Sequence, residues 1–279
     1  MKRNAIIQVA VLLIFSSLAI SAKVPQGITL SELPPRAQQT IKAELKGAQV
    51  GEIEKETADG KTFYDVVLAK GEASRHLTVD GQGNLIRAQV ALTETPAPVQ
   101  KVIQNQLGKN KLGDIDRTSE EGETIFSVDL IAPNGEAHSL SVAEDGKWFS
   151  LELQLSEAPG PVQKTIRTHL GKGKLEEISK VNDDGDVYFE ADINVDGKTR
   201  TLTIGPRGRV LSEEEEVSLK ELPEVAQRVV RANVGGGQLT SITKVTEGRE
   251  ITYEVEAMKA GKELSFAVAG DGKFLGFDE

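Results

Sequence analysis

Leu92–Ile115 reads LTETPAPVQKVIQNQLGKNKLGDI, and Leu155–Ile178 reads LSEAPGPVQKTIRTHLGKGKLEEI. The same skeleton recurs as LSELPPRAQQTIKAELKGAQVGEI from Leu30 and LKELPEVAQRVVRANVGGGQLTSI from Leu219. Leading prolines stand at Pro34, Pro96, Pro159 and Pro223, spaced by 62, 63 and 64 residues. Gln38, Gln100, Gln163 and Gln227 keep that step, as do the aromatics Tyr64, Phe126, Phe189 and Tyr253. A period of this length, longer than a solenoid unit, points to tandem domains near the minimum size that folds alone.

Each unit starts as a helix. The leading proline suits a first helical position, where its missing N–H needs no partner. Apolar residues then recur every fourth position: Ala37, Ile41, Leu45; Val99, Ile103, Leu107; Val162, Ile166, Leu170; Ala226, Val230, Val234. Gly47, Gly108, Gly171 and Gly235 stop the helices, in the manner of a left-handed cap. Beyond them the pattern alternates at period two, with Tyr64, Val66 and Leu68 on one face and Leu77 and Val79 beside them. Asp-Gly pairs at Asp59, Asp80, Asp145, Asp184, Asp196 and Asp271 mark tight turns. The expected fold is α+β: four tandem repeats, each one helix packed on a four-stranded antiparallel β-meander. The expected boundaries are 23–91, 92–154, 155–217 and 218–279.

One helix covers one face of a sheet, so the other face stays free unless a neighbour covers it. Counting alternation outward from the apolar set assigns Phe63, Val67, Trp148, Tyr188 and Phe274 to that free face. In the same alignment Trp148 matches Asn84, Arg209 and Phe274, a position that varies while the scaffold does not. These five residues are the candidate partner-binding set, since aromatic side chains anchor protein interfaces.

The N-terminus reads as an export signal over residues 1–22: Lys2 and Arg3, an apolar run from Ile6 to Ile20, and a small-residue exit at Ala22. The run is short for a membrane span, and no cysteine follows it to carry a lipid. The chain has no cysteine at all, so an exported form relies on buried apolar surface rather than disulfides. Its formal charge is −10, which disfavours nucleic acid and anionic membranes as partners. The expected location is periplasmic or secreted, and the expected partner is a protein or peptide.

The quoted helix starts, the LPxxxQ run Leu222–Gln227, the strand YEVEA at Tyr253–Ala257 and the turn GDGKFLG at Gly270–Gly276 resemble the PepSY-like group of bacterial envelope domains. That group is related in architecture to β-lactamase-inhibitor-like repeats. Thr95 and Ala158 depart from the pattern by replacing the leucine before proline. The resemblance implies an exported, non-catalytic module that binds or inhibits a protein such as an envelope peptidase, and it supplies no catalytic residues. A structural spacer and a small-ligand or metal binder are the competing classes.

No reactive constellation argues for an enzyme, and no cofactor or metal is expected. His76, His138 and His169 fall at three different repeat positions and read as ordinary surface histidines. NDDGD at Asn182–Asp186 lacks the regular ligand spacing of a calcium loop and reads as a hairpin turn. GKNK at Gly108 and GKGK at Gly171 follow a helix, where a phosphate loop would precede one. The acidic run Glu213–Glu216 reads as a solvated linker. The four glutamines read as structural, either bonded locally or exposed.

Overall fold

A computed structural model describes residues 27–58, 60–120 and 123–277. The signal segment expected over 1–22 lies outside the described residues. Among these there are four helices and sixteen strands, and every strand pairing is antiparallel. The chain divides into two compact units between Ile86 and Arg87.

The first unit contains α1 (Pro35–Glu44), β1 (Gln49–Ala58), β2 (Lys61–Lys70), β3 (Ala73–Asp80) and the start of β4 (Leu85–Gln89). Ala37 and Ile41 of α1 are fully buried, as are Val66 and Val79 of the strands. Arg75 ties β3 to the end of α1, donating from Nη2 to the carbonyls of Glu44 (2.9 Å) and Leu45 (3.2 Å).

The second unit continues with α2 (Ala97–Leu107) and β5 (Lys111–Glu120), β6 (Glu123–Ile131), β7 (Ala137–Ala143) and β8 (Trp148–Glu152). Then come α3 (Gly160–Leu170) with β9 (Lys174–Asp183), β10 (Asp186–Val195), β11 (Lys198–Ile204) and β12 (Val210–Glu216). Last are α4 (Glu224–Val234) with β13 (Gln238–Glu247), β14 (Glu250–Lys259), β15 (Lys262–Ala269) and β16 (Phe274–Phe277). Backbone ladders also cross from one such block to the next. Ser150, Leu151 and Glu152 pair with Val181, Lys180 and Ser179, and Glu213–Glu216 pair with Thr246–Thr243. Opposed residues of antiparallel strands share a face. Leu151 opposes Lys180, which opposes Phe189; Leu202 opposes Glu213, Glu213 opposes Thr246, and Thr246 opposes Ile251. One face therefore carries all three apolar cores with α2, α3 and α4, and among the described residues the reverse face of this unit carries no helix.

The helix starts correct one expectation. Each leading proline is the N-cap, with φ between −58° and −53°, and the helix begins one residue later. At that position only the proline carbonyl is used, accepting the N–H of Gln38, Gln100, Gln163 or Gln227 at 2.9–3.0 Å. The glutamines then donate from Nε2 to the carbonyls of Leu33, Thr95, Ala158 and Leu222, at 2.8–2.9 Å. This local bond satisfies the carbonyl just before each proline, as the structural reading expected.

The helix ends differ as well. Gly108, Gly171 and Gly235 hold φ of 53–59° with ψ near −120°, the first central position of a type II′ turn rather than a left-handed cap. At the Asp80 turn the residue with positive φ is Gly83, not Gly81.

Gly208 (φ +81°) shows why the turns before β8 and β12 need glycine. A Cβ there would lie 2.7 Å from the Pro161 carbonyl oxygen at the start of α3, and Gly146 stands against Pro98 in the same way. Thr165 Oγ1 reinforces the contact by donating to the Gly208 carbonyl at 2.6 Å. Gly208→Ala combines positive-φ strain with a steric clash, so we expect urea unfolding to show a loss of about 1–3 kcal/mol.

Candidate functional site

The helix-free face of the second unit is built from the strand positions that alternate with the core. Two rows run across its centre. Glu152, Ser179, Glu190, Thr203 and Ser212 form one, and Glu177, Asp192, Thr201, Glu214 and Val245 the other. Neither row contains a cation. Lys174, at the start of β9, opposes Asn194 outside both rows; Lys180, Arg200 and Lys244 sit on the opposite side, where they oppose Phe189, Ile193 and Tyr253. There Lys244 Nζ meets Glu215 Oε1 at 2.7 Å, and Arg200 Nη1 lies 3.5 Å from Glu213 Oε1.

Glu177 and Asp192 are directly opposed like charges, and Glu190 and Asp192 project from the same side of β10. Neighbouring strands lie about 4.8 Å apart, so these carboxylates repel at short range. Partial burial pushes the Glu190 carboxyl above the usual range, helped by Asp192, Glu214 and Glu177. Glu214 is pushed up by burial and then by Glu247 and Asp192. Glu177 is raised by burial against the opposing Ser179 bond, with Glu152 and Asp192 adding to the rise. Burial also lifts Asp129, aided by Asp114 and Asp116. Tyr188 is pushed up to about 12 by burial, Glu190 and Asp183. Thr201 Oγ1 offsets part of the repulsion by donating to Asp192 Oδ1 at 2.6 Å.

The candidate aromatic set separates on this geometry. Tyr188 opposes Val181 and lies half-buried on the helix-free face. In the first unit Phe63 and Val67 alternate with buried Tyr64, Val66 and Leu68, away from α1. Trp148 and Phe274 do not belong to a free face. They oppose the core residues Val142 and Val268, as Val210 opposes Ile204. Trp148 packs on the α2 core, with Lys180 Nζ 5.0 Å from its ring centroid, and Phe274 stacks obliquely on Phe266 at 6.0 Å. A β-bulge at this register inserts one residue into β8, β12 and β16 and shifts the alternation. Val210, not Arg209, is thus the counterpart of Trp148, and the apparent chemical variety came from a one-residue slip.

The run Glu213–Glu216 is a strand, not a linker: Glu213 and Glu215 reach Arg200 and Lys244, while Glu214 and Glu216 face the other way. His76 is exposed, but His138 is buried, 6% accessible, which overturns its reading as a surface residue. His169 Nδ1 lies 2.9 Å from the Thr165 carbonyl. NDDGD is the β9–β10 turn, with Asp184 Oδ1 held 2.6 Å from Lys147 Nζ. Among the described residues no group of three or more acidic or histidine side chains is placed to hold a metal ion, and no helix is long and apolar enough to cross a membrane. The acidic rows were missed, although Tyr188, Glu190 and Asp192 are spaced by two around Phe189 and Ala191.

With the helix-plus-strand geometry established, a family model described as "Putative beta-lactamase-inhibitor-like, PepSY-like" matches residues 20–87 and 208–275. Two segments of this chain are thus similar to that family. No curated protein matches the sequence. Solved structures that resemble this chain include a BLIP-like protein from Bacteroides fragilis, at 16% identity and a TM-score of 0.36, covering 43% of this chain and 85% of that one. A Bacteroides eggerthii structure described as "putative periplasmic proteins" has 16% identity and a TM-score of 0.38, covering 43% and 88%. The YpeB C-terminal domain from Bacillus megaterium has 12% identity and a TM-score of 0.22, covering 68% and 98%.

A carboxyl whose folded pKa is raised binds more protons in the native than in the unfolded state, so it weakens folding above the ordinary carboxylate range and the penalty fades as pH falls. A Glu190→Gln/Glu214→Gln variant should therefore melt higher than the parent at pH 7.5, and the difference should shrink toward pH 5 in circular-dichroism melts.

Proposed function

We propose that this chain is a non-catalytic binding protein of the bacterial envelope, made of four tandem PepSY-like repeats, whose helix-free face docks a basic protein or peptide. The repeats span 23–91, 92–154, 155–217 and 218–279. The observation that carries the reading is the cation-free pair of acidic rows, with Glu177, Glu190 and Glu214 pushed above the usual carboxylate range. A basic surface laid on these rows relieves repulsion that the isolated protein bears, so charge selects the partner. Tyr188 supplies apolar contact area beside the acidic rows, and Phe63 and Val67 are candidate contacts of the first unit by itself. The β-lactamase-inhibitor-like description and the periplasmic descriptions of similar structures support a protein partner outside the cytoplasm, with an envelope peptidase as one class.

The continuous ladder from β8 to β9 and from β12 to β13 favours a second reading, an envelope spacer whose blocks only extend the sheet. The two separate in one titration. A fluorescein-labelled Lys/Arg-rich peptide should bind, lose at least tenfold in affinity between 50 and 500 mM salt, and lose at least tenfold in a Glu177→Gln/Glu190→Gln/Asp192→Asn variant, where about 10 Å of screening length shrinks to a few ångströms at the higher salt. A Glu-rich peptide of equal length that binds as well, or a variant that binds unchanged, sinks the docking reading and leaves the spacer.

A further inference from the structure

β8 stops at Glu152, while β7 begins at Ala137 and β9 at Lys174. Its ladders reach only Leu140 on one side and Ser179 on the other, so the first residues of β7 and β9 flank an open notch of about 430 Å³. Its lining includes Glu136, Glu152, Glu176 and Glu177 and no lysine or arginine. Leu153, Leu155 and Leu175 form an apolar wall. His138 also lines the notch, is 6% accessible, and has no hydrogen-bond partner at either ring nitrogen. A buried imidazole with both nitrogens unused is uncommon, because an unmade bond of this kind costs about 1–3 kcal/mol.

The next block shows what fits. His138 opposes Leu130, and Arg200 opposes Ile193 at the same register. In that block β12 runs further and covers the position: Arg200 faces Glu215 across the ladder, approaches Glu213, and donates to the His169 carbonyl at the end of α3. In the first unit Arg75 plays the same part for α1. The α2 block has an imidazole in place of the guanidinium that the α1 and α3 blocks carry, and β8 is shorter than β12, so the notch beyond the end of β8 brings His138 of the helix side together with Glu152 and Glu177 of the helix-free side.

We propose that the notch binds a guanidinium group supplied from outside, as a free arginine-like molecule or as an arginine side chain. A planar guanidinium can donate to an imidazole nitrogen and to a carboxylate at once, and its weakly hydrated faces suit the leucine wall better than a compact ammonium does. Glu152 is partly preorganised, with Oε2 accepting the Ser139 N–H at 3.1 Å, and Glu136 Oε2 is held by Asn134 and Gln154 at 2.7 Å each. Where the arginine belongs to a basic partner, the proposal rests on the docking reading above; for a free ligand it stands alone.

The test titrates the full chain with Nα-acetyl-arginine amide and its uncharged isostere Nα-acetyl-citrulline amide, by calorimetry and by the ¹⁵N imidazole signals. Arginine amide should bind at least tenfold tighter and shift the His138 signals. His138→Phe should weaken it at least tenfold, and His138→Arg, filling the slot as Arg200 does, should abolish it with the fold retained by circular dichroism. Equal binding of citrulline amide, unmoved His138 signals, or an unchanged His138→Arg variant overturns the proposal. A second arm compares arginine-only and lysine-only basic peptides. Preference for arginine that vanishes in His138→Arg places the group on a peptide. Equal binding of both, unaffected by His138→Arg, overturns a peptide arginine as the notch's occupant and spares the acidic face, whereas arginine amide binding with neither peptide bound sustains the notch and removes the face.

Discussion

Opposed residues in an antiparallel ladder cannot point to different sides, and that constraint carries one polarity through every strand of the second unit. Because β8 hands its register to β9 and β12 hands its register to β13, the three apolar cores fall on a common side. The helices must follow their cores. What remains is a broad sheet surface with carboxylates and hydroxyls at alternate positions, whose electrostatics are set by where the helices are not.

The recurring helix start anchors this arrangement locally. A proline presents its carbonyl to the helix, a glutamine returns its amide to the residue before the proline, and a glycine in the turn before the fourth strand lets that turn approach the helix's first residues. Glutamates three residues into the preceding turns add a further bond, Glu32, Glu94, Glu157 and Glu221 each accepting a backbone N–H at 2.7–2.9 Å. These contacts all close within one block. They explain why the same few residue types recur, with no chemistry required of them.

The period-four stripes and period-two alternation made helices, strands and most core positions readable, because burial leaves a direct imprint on residue type at those spacings. Trp148 and Phe274 were misplaced since a bulge is invisible to a count of alternation, and one extra residue is enough to change a side chain's face. The Glu213–Glu216 strand escaped notice because its pairing partners, and the Arg200 and Lys244 that meet Glu213 and Glu215, come from other strands. His138 was unreadable for a similar reason: its burial and its bare nitrogens depend on which strands the fold brings around it, a tertiary property. Tyr188 and its acidic neighbours were legible in principle, but only once the helix side of β10 had been fixed.

The joints between blocks are short. Three residue pairs join β8 to β9, whereas nine join β9 to β10 inside a block. Strands in chain order place the termini of the second unit on opposite margins of its sheet, so tension applied along the chain opens ladders pair by pair instead of shearing them together. β8, joined by three pairs to β7 and by three to β9, is then the strand at which a stretched α2–α3 pair of blocks is held by few backbone bonds, while the hydrophobic interiors on either side are closed by longer ladders.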